Sequence, residues 1–229
     1  MAFNLYCQIP FGKIHSHNPK IQALAKLIRR SANAVSLKLS NFSRLDPALN
    51  KRGIRGMSHG AKGEEEIWLQ FSNNAEALAW ESERLLAQVL GKRIEEVAEV
   101  ETDDLPRSGV ERDAVVRLRV NQSFFRKRIL SAYNYRCCIT GLNVQPLLVA
   151  SHILPWAEDV PNRLNPRNGL CLNALHDRAF DRHLMWIEDG FIVRFSPKLI
   201  VAGNGVNWLI SFEGKALKLP NNFTPDSTF

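Results

Sequence analysis

Two short apolar runs, each ending or beginning at a polar residue of unusual type, limit what this chain can fold into. Leu147-Leu148-Val149-Ala150 leads into Ser151-His152-Ile153-Leu154-Pro155-Trp156, and Asn168-Gly169-Leu170-Cys171-Leu172 follows after a loop that carries Arg163 and Arg167. Both runs read as strands. Immediately afterwards His176, Arg178, Phe180 and Asp181 fall in a helical pattern. Further on, Trp186-Ile187, the Asp189-Gly190 turn and Phe191-Ile192-Val193-Arg194-Phe195 read as a second, two-stranded hairpin. Ahead of all this, residues 121–135 read as a helix with Phe124, Phe125, Ile129 and Leu130 inward and Arg126, Lys127 and Arg128 outward. The implied order is strand, His, loop, Asn, strand, His on a helix.

Charge is segregated along the chain. Residues 1–63 carry 11 Lys/Arg against one acidic residue, residues 64–113 carry 5 against 14, and residues 114–200 carry 12 against 6. Two basic blocks flanking an acidic one suit a protein that meets a phosphate backbone with two surfaces, although a solvated basic exterior would give the same sums. At 229 residues and 45% hydrophobic content the chain fills one large or two small cores. No apolar run reaches the roughly 20 residues of a membrane span, and no secretory leader is recognisable at the start, so a cytoplasmic protein without a membrane partner is expected. Adjacent Cys137 and Cys138 with isolated Cys7 and Cys171 are not the pattern of a disulfide framework.

In the first basic block, Asn18 is placed to cap a helix with Pro19 at its first position and Ile21, Leu24, Ala25 and Ile28 on one face. Ser31 caps a second helix with the stripe Val35, Leu39 and Phe42, ended by Asp46-Pro47. The pair has the form of a helix-turn-helix, which would turn Lys38 and Arg44 towards base edges and hold Arg29 and Arg30 near phosphates. An ordinary helical hairpin would show the same spacing. The glycine-rich stretch 50–63 lacks the Gly-Lys-Ser/Thr ending of a P-loop and reads as a loop. Ile67, Trp68 and Phe71, then Leu78, Leu85, Leu86 and Val89, mark two amphipathic packing helices. The acidic stretch 93–113, with Pro106 and Gly109, reads as an interdomain linker.

The order His152, Pro155, Asn168, Leu170, His176, Phe180 and Asp181 resembles the HNH nuclease family over roughly residues 121–200. The resemblance implies a ββα-metal fold in which a hairpin and a helix surround one divalent ion. It implies that His152 is the base that activates water, that Asn168 pins the loop behind it, and that His176 is a metal ligand as well as part of the catalytic set. Where many members have Asp or His before the base, this chain has Ser151, a poor ligand for a hard cation without anionic help. Asp181 or His183 would complete the site, Asp181 being the better candidate and Ser151 a doubtful one. Arg163, Arg167, Arg178 and Arg182 are candidate phosphate contacts. Members with a structural zinc carry two Cys-x-x-Cys pairs, and since three of those four thiolates are missing, no structural zinc is expected. Cys138, Ile139, Leu172 and Leu175 are expected to form a hydrophobic plug instead.

The expectation is therefore an α+β protein. A small basic helical, helix-turn-helix-like domain (residues 1–92) and an acidic linker (93–113) precede a ββα-metal nuclease domain (114–229). It should hydrolyse phosphodiesters of double-stranded DNA with Mg2+ or Mn2+, as a restriction or phage-defence enzyme whose N-terminal domain chooses the site. A homodimer would cut both strands. An inactive DNA-binding regulator and a non-specific toxin-like nuclease are the alternatives.

Overall fold

The computed structural model describes residues 1–51, 53, 60–201, 204–220 and 223–225. The chain divides into two units, Met1–Phe124 and Phe125–Phe229. In the first, helices α1 (Ala2–Gln8), α2 (Pro19–Leu27) and α3 (Ala32–Ser43) pack together. The Asn18 side chain accepts the Lys20 N–H at 3.0 Å, and Ser31 Oγ accepts the Ala34 N–H at 3.1 Å, so each helix begins where a side-chain oxygen satisfies an otherwise orphaned donor. Between them Arg29 takes a left-handed conformation (φ 53°) that reverses the chain. Ile21 and Ala25 of α2 and Val35, Leu39 and Phe42 of α3 are buried, as the apolar periodicity requires.

Helices α4 (Pro47–Lys51), α5 (Lys62–Phe71), α6 (Ala75–Leu90) and α7 (Ile94–Ala98) follow. The expected loop at 50–63 lies largely outside the described residues. Phe3 packs its ring against Phe42 and Trp68 at centroid distances of 4.9 and 5.4 Å, which ties α1, α3 and α5 into one core. Glu64, at the third position of α5, is almost fully buried, yet its Oε2 accepts the Ala61 N–H while Oε1 accepts from Lys38 Nζ and Asn41 Nδ2. Burial acts to raise the Glu64 carboxyl, but these donors hold it below its ordinary value.

The acidic stretch is not the open linker that its composition suggests. Ala98 is buried with Val116 and Val120 of the long helix α8 (Val110–Ala132), and Trp80, Ile94, Val100 and Leu105 pack around them. Two of its carboxylates are paired: Glu95 with Arg93 and Arg112, and Asp104 with Arg119. Apolar residues spaced too irregularly to show periodicity still bury themselves once α8 supplies a partner face. The division between the units falls after Phe124, within the sequence of α8.

In the second unit β1 (Leu148–His152) pairs antiparallel with β2 (Gly169–Asn173), in a register that sets His152 opposite Gly169 and Ser151 opposite Leu170. Every residue of β2 is buried. Asn173 ends the strand and caps α9 (Ala174–Asp181), its Oδ1 accepting the Leu175 and His176 N–H groups at 3.1 and 2.9 Å. The second hairpin, β3 (Met185–Glu188) with β4 (Ile192–Phe195), turns through Gly190 at φ 77°. Residues 214–218 run beside β4, where Val193 N–H donates to the Lys215 carbonyl and Leu217 N–H to the Phe191 carbonyl. Short helices α10 (Pro197–Ile200) and α11 (Asn207–Ile210) complete the unit. The protein is α+β: a mostly helical region over residues 2–132 and a ββα C-terminal region. None of the described helices is long and apolar enough to cross a membrane.

Candidate active site

His152 stands at the last position of β1, half-buried. Its Nε2 lies 2.8 Å from the Arg163 carbonyl oxygen. A carbonyl only accepts, so Nε2 carries the proton and the lone pair resides on Nδ1. Burial pushes the imidazole below its ordinary value, and the Arg163 carbonyl offsets this in part, so the neutral form dominates at pH 7. The Phe125 ring stacks on the imidazole at 3.8 Å and 11°, and Trp156 meets it edge-on at 5.4 Å. A cavity of about 570 Å3 opens here, lined among others by His152, Leu154, Phe180, Asp181, His183 and Trp186.

Asn168 is wholly buried just before β2. Its Oδ1 accepts the Leu154 N–H at 2.7 Å and its Nδ2 donates to the Leu154 carbonyl at 3.1 Å, so one side chain satisfies both backbone groups two residues past His152. Its side chain bonds to the loop at Leu154 and not to His152. Gly169 follows because no side chain fits: a Cβ there would come within 2.5 Å of Ile129 Cδ1 and 2.8 Å of Phe125 Cζ.

His176, expected as a metal ligand, lies in the core. It is completely buried, its Nδ1 lies 2.8 Å from Asn173 Nδ2, and the rings of Phe195, Trp208 and Phe212 surround it at 5.6–6.1 Å. Burial lowers its pKa, with the Leu209 backbone compensating in part. Asn173 Nδ2 also approaches Cys137 Sγ at 3.8 Å. The imidazole is thus part of a clasp between the Cys137 loop and the start of α9. With Asn173 as cap, the first turn of α9 aims position 176 into the core and position 177 towards β1. The neighbouring plug is partly as expected, since Cys138, Ile139 and Leu172 are buried, but Leu175 is 58% exposed. All four cysteines are free thiols.

Asp177 is the residue that sequence reasoning passed over. The Ser151 hydroxyl is buried without a well-formed hydrogen bond of its own and faces the Asp177 carboxyl. Burial raises the Asp177 pKa and nearby Asp181 adds to this, while Ser151 and Arg178 pull it back. Asp177 and Asp181 are four residues apart on α9 and so share a face. Asp181 is exposed and lines the cavity with His152. No three His, Cys, Asp or Glu side chains converge among the described residues. Two carboxylates and a hydroxyl nevertheless fit a small hard cation, which takes oxygen donors and keeps several waters. The i, i+4 spacing from Asp181 was the available signal; the Arg163 carbonyl, a backbone group, left none.

The basic residues divide. Arg178 and Arg182 are exposed on and just after α9, and Arg167 is half-buried in the loop before β2. Arg163 donates through Nε to the Trp156 carbonyl at 2.7 Å and lies over the Trp156 ring, so much of its guanidinium is committed to the loop. In the first unit Arg29 and Arg30 are exposed. Lys38 and Arg44 instead turn to α5: Lys38 Nζ pairs with Glu64 at 2.6 Å and Arg44 with Glu65 at 3.0 Å. Acidic partners more than twenty residues away in sequence take up the charge that the helix-turn-helix reading gave to bases.

Residues 137–188, which hold β1, the loop, β2, α9 and β3, match the model of the HNH endonuclease family. No curated protein matches the chain. Residues 137–188, in the C-terminal part of this chain, are therefore similar to an HNH endonuclease domain.

Proposed function

We propose that the protein is a DNA endonuclease in which His152 is the general base, and that its helical N-terminal unit chooses where it cuts. The observation that carries this reading is the state of His152. Its Nε2–H is held by the Arg163 carbonyl at 2.8 Å, and its neutral Nδ1 is left to take a proton from water. Asn168, by clamping Leu154, keeps the loop from Ile153 onward in the position that this contact needs. Asp177, Asp181 and the Ser151 hydroxyl would hold a divalent cation, with Asp177 in the role that the sequence gave to His176. When bound, Mg2+ or Mn2+ supplies Lewis-acid stabilisation of charge at the phosphate and the leaving oxygen. Arg167, Arg178 and Arg182 contact neighbouring phosphates, with Arg163 contributing what its contact with Trp156 leaves free.

Double-stranded DNA is favoured as substrate by the capped helix pair α2–α3 with exposed Arg29 and Arg30, in a segment carrying 11 basic residues against one acidic. Such a reader joined to a backbone-cutting hairpin suits a restriction or phage-defence enzyme, because hairpin contacts to phosphates carry little sequence information. Two copies would be needed to cut both strands together. The test is incubation of plasmid, modified genomic DNAs and RNA with the protein and Mg2+ or Mn2+, beside His152→Ala. Discrete fragments from duplex DNA, absent in the variant, support the proposal. Equal degradation of RNA and every duplex refutes the site-specific part, and no cleavage with either metal refutes the enzyme.

A further inference from the structure

We propose that Phe125 is a positioning residue for His152, its ring fixing the plane of the imidazole so that Nδ1 meets the attacking water at the required angle. The inference rests on His152 being the base. A histidine ring held by one hydrogen bond keeps a soft terminal torsion and swings about the bond it makes. The contact from Nε2 to the Arg163 carbonyl, at 2.8 Å, fixes one edge of the ring and leaves its tilt free. Phe125 removes that freedom. Its ring lies parallel to the imidazole, 11° between planes and 3.8 Å between centroids, while Trp156 abuts edge-on at 88°.

The backbone that carries Phe125 is fixed to the hairpin at three points. Beneath its Cζ is Gly169, the register partner of His152, and a methyl group at that position would intrude to 2.8 Å. The next residue, Arg126, donates through NH1 to the Leu148 carbonyl at 2.7 Å, anchoring this turn of α8 to the first residue of β1. Two turns on, Tyr133 Oη donates to the Gly169 carbonyl at 3.4 Å. Residues 125, 126, 129 and 133 thus grip both strands of the hairpin along one helix face. The apolar ring also covers one face of the imidazole, which itself lines the cavity.

The test compares Phe125→Leu, which keeps an apolar side chain but no ring, with Val193→Ala, a core truncation in β4 away from His152. Phe125→Leu should lower kcat on the order of tenfold to a hundredfold, the cost of a misplaced reacting group, with KM for duplex DNA changed less than about twofold. Val193→Ala should cut at the wild-type rate at a temperature where both variants are folded. Independently of activity and of any variant's folding, the ring protons of His152 in the wild type, assigned by comparison with His152→Gln, should be displaced upfield by the stacked phenyl ring. An unshifted His152 resonance, or wild-type kcat in Phe125→Leu, overturns the proposal. A wild-type protein that cuts no DNA sinks the nuclease reading itself, whereas cleavage with kcat insensitive to residue 125 sinks this inference alone.

Discussion

Replacing Asn168 tests whether the middle residue of the motif acts through the backbone of the loop. In Asn168→Ala the Leu154 N–H and carbonyl both lose their partner, as does the peptide geometry that keeps Ile153 and Leu154 beside His152. Each buried bond to an amide contributes about 1 kcal/mol net, and each backbone group left unpaired costs about 1–3 kcal/mol. Leu154 is half-buried, so water reaches it in part and the lower half of that range applies. The expected loss is about 2–4 kcal/mol, equivalent to roughly 10–20 °C in the unfolding midpoint of a unit of this size. Asn168→Asp is the discriminating companion. It keeps an acceptor for the Leu154 N–H but sets a buried carboxylate oxygen against the Leu154 carbonyl, so it should lose at least as much stability as the alanine variant and cut poorly. Thermal unfolding of the full chain, followed by plasmid cleavage below the midpoint, measures both. An alanine variant within about 0.5 kcal/mol of wild type would refute the clamp. So would an aspartate variant with full activity.

Gly169→Ala should destabilise the second unit by about 1–3 kcal/mol through overpacking against Ile129 and Phe125, and should lower kcat by displacing the phenyl ring; retention of both wild-type values counts against the close approach. Asp177→Asn should raise the Mg2+ concentration for half-maximal cleavage on the order of tenfold, whereas His176→Gln should lower the unfolding midpoint and leave the metal requirement unchanged; the reverse pattern would restore His176 as a ligand. His152 and His176 both have pKa values lowered by burial, so the unfolded chain binds more protons than the native one as pH falls past the ordinary imidazole value of roughly 6.5. Stability of the second unit is therefore fully present above that pH and declines below it, and the acid limb of cleavage should lie below 6.5; a midpoint flat from pH 7 to 5 contradicts the burial of these rings. Glu64→Gln should cost the first unit about 1–3 kcal/mol in urea unfolding by weakening the contacts to Lys38 and the Ala61 N–H, and no change would mean that this buried carboxylate is dispensable.

Local signals carried most of the chain's organisation. Asn18 and Ser31 declare helix starts because a cap needs one side-chain oxygen two or three residues from the N–H it serves. The stripe Val35, Leu39, Phe42 declares a buried face, and Gly190 a hairpin turn, through geometry confined to a few residues. Motif order made the ββα arrangement legible. What sequence left undecided is whatever depends on partners distant along the chain. Whether the acidic stretch is a tether or a folded part of the first unit rests on α8 arriving to cover Ala98. The fate of Lys38 and Arg44 rests on Glu64 and Glu65 lying across from α3. Most of all, one residue of rotation at the cap of α9 separates a histidine sealed among aromatic rings from an aspartate facing Ser151. Adjacent helical positions point about 100° apart, so composition names the candidates, and only the packed helix says which of them faces the site.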